Sequence, residues 1–243
     1  MPKGVARRNW KLLAPILLAS MPQVSVADVA DVAPLPAFNG NVVLLGSSSV
    51  NDSFGHLIAS QLRRHGYDVL RKGYAAAGLS RPDFIDLSAK VASLPIPRDA
   101  DAVLLYVGGN DAQHLWLRPE ERGNTGEAFV KWDDDGWSEL YEKRAKDLVE
   151  AICGRGARKV IFLPPADVVS TRMQRRLDRI RELQQSAAKS STCGKFVATG
   201  GDAEVLKSNA NALRAPDGVH MTREGAVRVW TRVANRVIEL IRT

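Results

Sequence analysis

Short unbroken apolar runs alternate along this chain with stretches in which apolar residues return every three or four positions. The first run, at residues 41–45 and apolar from Val42 onward, suits a strand buried on both faces, and Phe54, Leu57, Ile58 and Leu62 then repeat at helical spacing. The same alternation predicts a second strand near 67–70, a helix over 82–94 and a third strand at 102–107. After a long insertion it predicts a helix at 139–153 and a fourth strand at 159–163, stopped by Pro164-Pro165. A helix at 171–189, a short fifth strand at 195–199 and an amphipathic helix at 223–241, with Val229, Val233, Val237 and Leu240 on one face, complete the chain. Alternation of this kind builds a mostly parallel sheet between two helical layers, and such sheets bind ligands at the carboxyl ends of their strands.

The amino terminus departs from this grammar. Lys3, Arg7, Arg8 and Lys11 precede an apolar run at 12–21, followed by Ser25-Val26-Ala27 and Asp28. That order reads as a secretory signal peptide over residues 1–27, cleaved after Ala27. A helix needs roughly 20 apolar residues to span a bilayer. The run here is half that length and carries Pro15, so a retained anchor is the lesser reading and no stable membrane span is expected after processing. The implied location is the periplasm or the cell exterior. Residues 28–40 read as an exposed lead-in, and 41–243 as one domain with an insertion at 112–138.

The formal net charge of +7 falls to +3 without the four leader cations. The basic balance is thus largely a targeting feature, and no nucleic-acid partner is expected. Cys153 and Cys193 are too few for a disulfide scaffold or a four-ligand zinc site. Both stand where a helix ends before a strand, at one edge of the sheet, and two readings stay open: a disulfide, which an oxidising compartment permits, or two buried thiols.

Four short blocks carry the chemistry. Gly46-Ser47-Ser48-Ser49 follows the first strand, Gly78 the second and Gly108-Gly109-Asn110-Asp111 the third, while Asp217-Gly218-Val219-His220 precedes the last helix. Each alone reads as a turn or a helix start. Together they supply a serine nucleophile, a histidine base with an orienting carboxylate, and donors for an oxyanion, the parts that acyl transfer needs. Other sites lack their spacing: there is no Gly-x-Ser-x-Gly elbow, no phosphate loop, no Gly-x-Gly-x-x-Gly and no zinc cluster, so no metal or cofactor is expected.

The blocks resemble those of the SGNH or GDSL hydrolase superfamily, and the resemblance covers roughly residues 42–241. It extends to an exported bacterial branch through Gly78-Leu79-Ser80-Arg81-Pro82-Asp83-Phe84, Gly109-Asn110-Asp111-Ala112-Gln113 and residues 213–222. The resemblance implies a flavodoxin-like α/β sandwich with a five-stranded sheet, and ester hydrolysis or acyl transfer without a metal. It implies Ser48 as nucleophile, His220 and Asp217 as base and orienter, and Gly78, Asn110 and the Ser48 N–H as oxyanion donors. One departure stands out: the Asp of the family's first block is Ser47 here, so three serines run together and Ser49 is the alternative nucleophile. The same departure leaves room for a site that binds without reacting.

The insertion bears on substrate. Trp116, Trp132 and Trp137 are three of the five tryptophans, and the insertion leaves the sheet beside Asn110. Exposed rings would stack on sugars, whereas buried ones would only fix the loop. Asp133-Asp134-Asp135-Gly136 suggests a hairpin with Trp132 and Trp137 on its flanks. These residues, with His114 at the rim, are the candidate substrate contacts. The expected substrate is an ester, O-acyl or O-acetyl, on cell-envelope or extracellular carbohydrate, with a lipid or thioester hydrolase and a silent carbohydrate-binding module as alternatives. His65 reads as a helix end and His56 as structural. Arg172, Arg175, Arg176 and Arg179 read as a solvated helix face, with an anionic polymer site as the alternative.

Overall fold

In the computed structural model, residues 38–123 and 126–243 are described. The expected signal peptide and most of the lead-in lie outside them. Strand β1 (Gly40–Gly46) leads into a one-turn helix α1 (Ser48–Asn51) and then α2 (Ser53–Arg64), β2 (Tyr67–Gly73), α3 (Leu87–Ser93) and β3 (Ala102–Tyr106). The insertion holds β4 (Leu115–Trp116) and β5 (Phe129–Val130). The chain continues through α4 (Gly136–Cys153), β6 (Val160–Phe162), α5 (Thr171–Lys189), β7 (Gly194–Phe196), α6 (Ala203–Leu213) and α7 (Arg223–Arg242).

Five strands pair in parallel in the order β2-β1-β3-β6-β7, and β4 pairs with β5 antiparallel as a separate ribbon. The sheet lies between helices on both faces, which is the flavodoxin-like sandwich expected from the sequence. The unbroken apolar runs have the predicted cause. Val43, Leu45, Val103 and Leu105 pack into the layer of α3, α4 and α5, while Val42, Leu44, Ala102 and Leu104 pack into the layer of α2 and α7. All eight are essentially inaccessible, and burying each such aliphatic side chain larger than alanine stabilises the fold by about 1.5–3 kcal/mol. The strand order reverses between β1 and β3, so the crevice at their carboxyl ends is the topological switch point.

Three local expectations are corrected. The helix expected over 82–94 starts only at Leu87, because Asp86 caps it by accepting from Ser88 N and Ala89 N and also bridges back to Gly78. The Asp133-Asp134-Asp135-Gly136 run is no hairpin. Asp134 closes a turn onto Lys131, and the acidic run then leads into α4, where carboxylates favour the helix amino terminus. Helix α6 was not anticipated at all; it holds a kink at Asn209. Cys153 at the end of α4 and Cys193 just before β7 are bridged, with Cα atoms 6.4 Å apart, within the usual span of roughly 4.4–6.8 Å. Among the described residues no helix is long and apolar enough to cross a membrane.

Candidate active site

Ser48 is presented by a tight exit from β1. A Cβ on Gly46 would lie 2.1 Å from Tyr106 O, so only glycine lets β1 end this close to β3. The next residue, Ser47, is buried and its N–H donates to Tyr106 O at 3.1 Å. Ser47 caps nothing with its side chain; in this turn the backbone does the bracing. Ser48 then opens α1, closed by Val50 N donating to Ser47 O and Asp52 N to Ser48 O; at the first helical position the Ser48 N–H itself has no intrahelical acceptor.

His220 arrives from the loop ahead of α7. The loop is pinned at both ends: Arg214 and Met221 form an antiparallel bridge, Ala215 N donates to His220 O, and Val169 N donates to Gly218 O. Beneath it the buried Arg214 guanidinium donates to Asp167 O. Asp217 Oδ1 accepts from the backbone N–H groups of Val219 and His220 at 2.8 and 2.9 Å, and Asp217 Oδ2 lies 2.6 Å from His220 Nδ1. The imidazole bond and these backbone donors pull the Asp217 carboxyl down to about 2, so it is ionised at any working pH. With Nδ1 holding its proton toward that carboxylate, Nε2 is left as an acceptor, and it lies 2.9 Å from Ser48 Oγ. Ser48 and not Ser49 makes this contact.

A second carboxylate was missed from sequence. Asp52 Oδ2 stands 3.9 Å from His220 Nε2, half-exposed beside the reacting nitrogen. The signal was its spacing of four from Ser48: Asp52 caps the end of the single turn that Ser48 opens, its N–H donating to Ser48 O at 3.1 Å.

Gly78 and Asn110 flank the crevice on the far side of β1. The Asn110 Nδ2 group donates to Ala77 O at 3.0 Å, which fixes the amide while leaving its second N–H unspent. Beneath both lies the Asp111 carboxylate, fully buried. Its Oδ1 accepts from Leu79 N at 2.7 Å, Ser80 N at 2.9 Å and Ser80 Oγ at 2.8 Å, and its Oδ2 accepts from Tyr141 OH at 3.0 Å. Burial pushes this carboxyl up, and the donors oppose that shift. The Gly78 loop and the Asn110 turn are therefore bolted to one anion. Arg144 adds a second clamp, donating to Leu79 O and Trp116 O while paired with Glu121.

Residues 41–236 match the family described as "Protein of unknown function (DUF459)". The chain belongs to that family. No curated protein sequence matches it. In structure the DUF459 chain is similar to a catalytic mutant of an acetylxylan esterase from Geobacillus stearothermophilus, with a TM-score of 0.60 and 18% identity over 84% of this chain and 96% of the other. It is similar also to a member of the lipolytic protein G-D-S-L family from Veillonella parvula, at 0.57 and 13% over 82% and 98%. A carbohydrate esterase family 3 structure from Talaromyces cellulolyticus gives 0.53 and 13% over 83% and 97%. At these identities the likeness establishes that the DUF459 chain has the SGNH hydrolase fold.

The insertion residues divide differently from expectation. Trp137 is fully buried and Trp132 nearly so; they contact each other at 4.2 Å between ring centroids, and Trp137 stacks on Tyr141. They are therefore packing residues and not substrate contacts. Trp116 is half-buried with the Arg122 guanidinium 5.0 Å from its ring. His114 is exposed, but its Nδ1 accepts from Trp132 N at 2.8 Å, so it also braces the loop. The exposed aromatic rings in this region are Phe84 and Phe129, with the Arg81 guanidinium 4.2 and 5.7 Å from their centroids. Nor is the arginine series simply a solvated face. Arg176 and Arg179 turn inward onto the Trp132 ring, whereas Arg172 and Arg175 stay exposed. His65 ends α2 as expected.

Two clefts open from the site. The larger, about 870 Å³, lies between α2 and the start of α7 and is lined by His220, Asp52 and His56 among others. His56, read as structural, is thus an exposed wall residue. The smaller, about 340 Å³, begins at Asn110 and runs along the first turns of α5.

Proposed function

We propose that this chain is an exported serine esterase acting on O-acyl groups, acetyl foremost, carried by cell-envelope or extracellular carbohydrate. The observation that carries the reading is the Ser48 Oγ to His220 Nε2 contact of 2.9 Å, with Asp217 on the far side of the ring at 2.6 Å. In that arrangement His220 takes the hydroxyl proton as Ser48 Oγ attacks the ester carbonyl. The carbonyl π electrons move onto oxygen, and the Ser48 N–H, the Gly78 N–H and the free Asn110 N–H receive the resulting oxyanion. Removing one such donor typically costs about 100- to 1000-fold in rate. The intermediate collapses as the imidazolium returns its proton to the leaving alkoxide. Water, activated by the same ring, then releases the acyl group from Ser48 and restores the hydroxyl.

Support for a carbohydrate ester comes from the acetylxylan esterase and carbohydrate esterase among the similar structures, not from the tryptophans, which pack inward. The exposed Phe84 and Phe129 rings beside the Gly78 loop are the surfaces left for a sugar to stack on. Export is supported by the leader-like order of residues 1–27 and by the Cys153–Cys193 bridge. The test is an ester panel, from aryl acetates and sugar acetates to long-chain acyl esters, on the mature protein and its Ser48→Ala variant. Turnover of acetates that vanishes with Ser48 is expected. A strong preference for long acyl chains would replace the carbohydrate reading with a lipid hydrolase.

A further inference from the structure

The smaller cleft has arginines on its α5 wall, and none of its lining residues is a carboxylate. Asn110 stands at one end, with Ser170, Arg172, Met173 and Arg176 along the other side. Arg176 is already committed: its Nη1 donates to Ala112 O at 2.7 Å and its guanidinium lies 4.8 Å from the Trp132 centroid. Arg172, one turn earlier on the same helix, is exposed and makes no hydrogen bond or ion pair with any described residue. A cation facing a cleft, with a second positive charge fixed behind it and no acid in the lining, creates a positive potential selective for anions. The planar fork of a guanidinium matches a carboxylate in particular.

We propose that this cleft is a specificity subsite for a carboxylate borne by the ester substrate, with Arg172 as the residue that reads it. The inference rests on the esterase reading. Asn110 is one of the proposed oxyanion donors there, so a group seated in this cleft adjoins the reacting carbonyl. The larger cleft has a lining of mixed sign, Asp52 beside His220 with Arg64 and Arg223 further along, so it lacks the carboxylate-free wall of the smaller one. The carboxylate could belong to the acyl group, as in a half-ester of a dicarboxylic acid, or to the alcohol, as in an O-acetylated uronic acid. The recognition chemistry is the same for both.

Two matched pairs separate these sources: p-nitrophenyl acetate against p-nitrophenyl hemisuccinate, and O-acetylated methyl glucoside against O-acetylated methyl glucuronide. The readout is the ratio of kcat/KM, anionic over neutral, in the wild-type and Arg172→Ala proteins. One pair should favour its anionic member, and that ratio should fall about tenfold without the guanidinium, the worth of one charge-assisted hydrogen bond. Arg172→Lys should restore part of it. Calorimetric titration of the Ser48→Ala protein with succinate and with methyl glucuronide reads the subsite without turnover, and the favoured anion should bind more weakly when Arg172→Ala is added. Neutral esters turned over through Ser48, with no anionic preference and no Arg172-dependent binding of either anion, would overturn this inference and leave the esterase reading standing. Arg172-dependent anion binding with no ester turnover would leave an anion site in this cleft but overturn the esterase reading, and with it the assignment of the site to an ester substrate.

Discussion

The carboxylate of Asp111 occupies the space that a side chain on residue 78 would need, since a Cβ built on Gly78 would lie 2.1 Å from Asp111 Oδ1. A buried anion and an absent side chain together set where the Gly78 N–H and the Asn110 amide can be. Replacing Asp111 with Asn keeps the shape but turns one acceptor into a donor, facing either two backbone N–H groups or the Tyr141 hydroxyl. The expected cost is about 1–3 kcal/mol of stability, seen as a lower melting temperature. A fall in kcat at unchanged KM on a small aryl acetate should accompany it. Loss of stability with kcat intact in the folded fraction would show that Asp111 holds the fold and does not position the donors.

Trp137 gives a second expectation, opposite to the one its composition suggested. Because it is fully buried against Trp132 and Tyr141, Trp137→Ala should destabilise by about 3–5 kcal/mol. It should lower activity on small and polymeric esters in equal proportion. Phe129→Ala, at an exposed ring, should spare stability and impair only the polymeric substrate. Melting curves paired with kinetics on the two substrates decide between them.

The depressed Asp217 carboxyl has a pH signature with a definite sign. Its folded value of about 2 lies below the ordinary 3.8, so its contribution to stability is present above 3.8 and is lost as the pH falls through 2. The melting temperature of the wild type should therefore exceed that of Asp217→Asn at pH 5, where the carboxylate is fully ionised in both the folded and unfolded chain. The margin should shrink below pH 4 and be nearly gone at pH 2. A margin unchanged at pH 2 would mean that the imidazole does not hold this carboxylate.

Bridged cysteines across a sequence separation of 40 should contribute about 2–4 kcal/mol. Exported protein should show no reactive thiol until reduced. The double variant Cys153→Ser, Cys193→Ser should melt several degrees lower without a change in kcat, and labelling of both thiols in unreduced material would contradict the bridge.

The sheet was legible because β1 from Val42 onward and all of β3 are buried on both faces, so no polar side chain blurs their runs. The convergence of Ser48 and His220 across 172 residues was legible for a topological reason: blocks that end parallel strands share an edge. Asp52, by contrast, earns its place only through the single turn of α1, which is too short to show periodicity. The aspartates at 133–135 misled because the same residues serve a hairpin and a helix start, and only packing of Trp137 into the core chooses the helix. Helix α6 is short, buries only Leu206 and Leu213 and is kinked at Asn209, so no long apolar stripe marks it in the sequence.

The central claim is that Ser48 is a nucleophile activated by His220, and labelling with a fluorophosphonate followed by peptide mass analysis tests it most directly. The account predicts one adduct, on Ser48, abolished in Ser48→Ala and strongly slowed in His220→Ala. An adduct on Ser49, or none in a folded protein that still turns over esters, would contradict it.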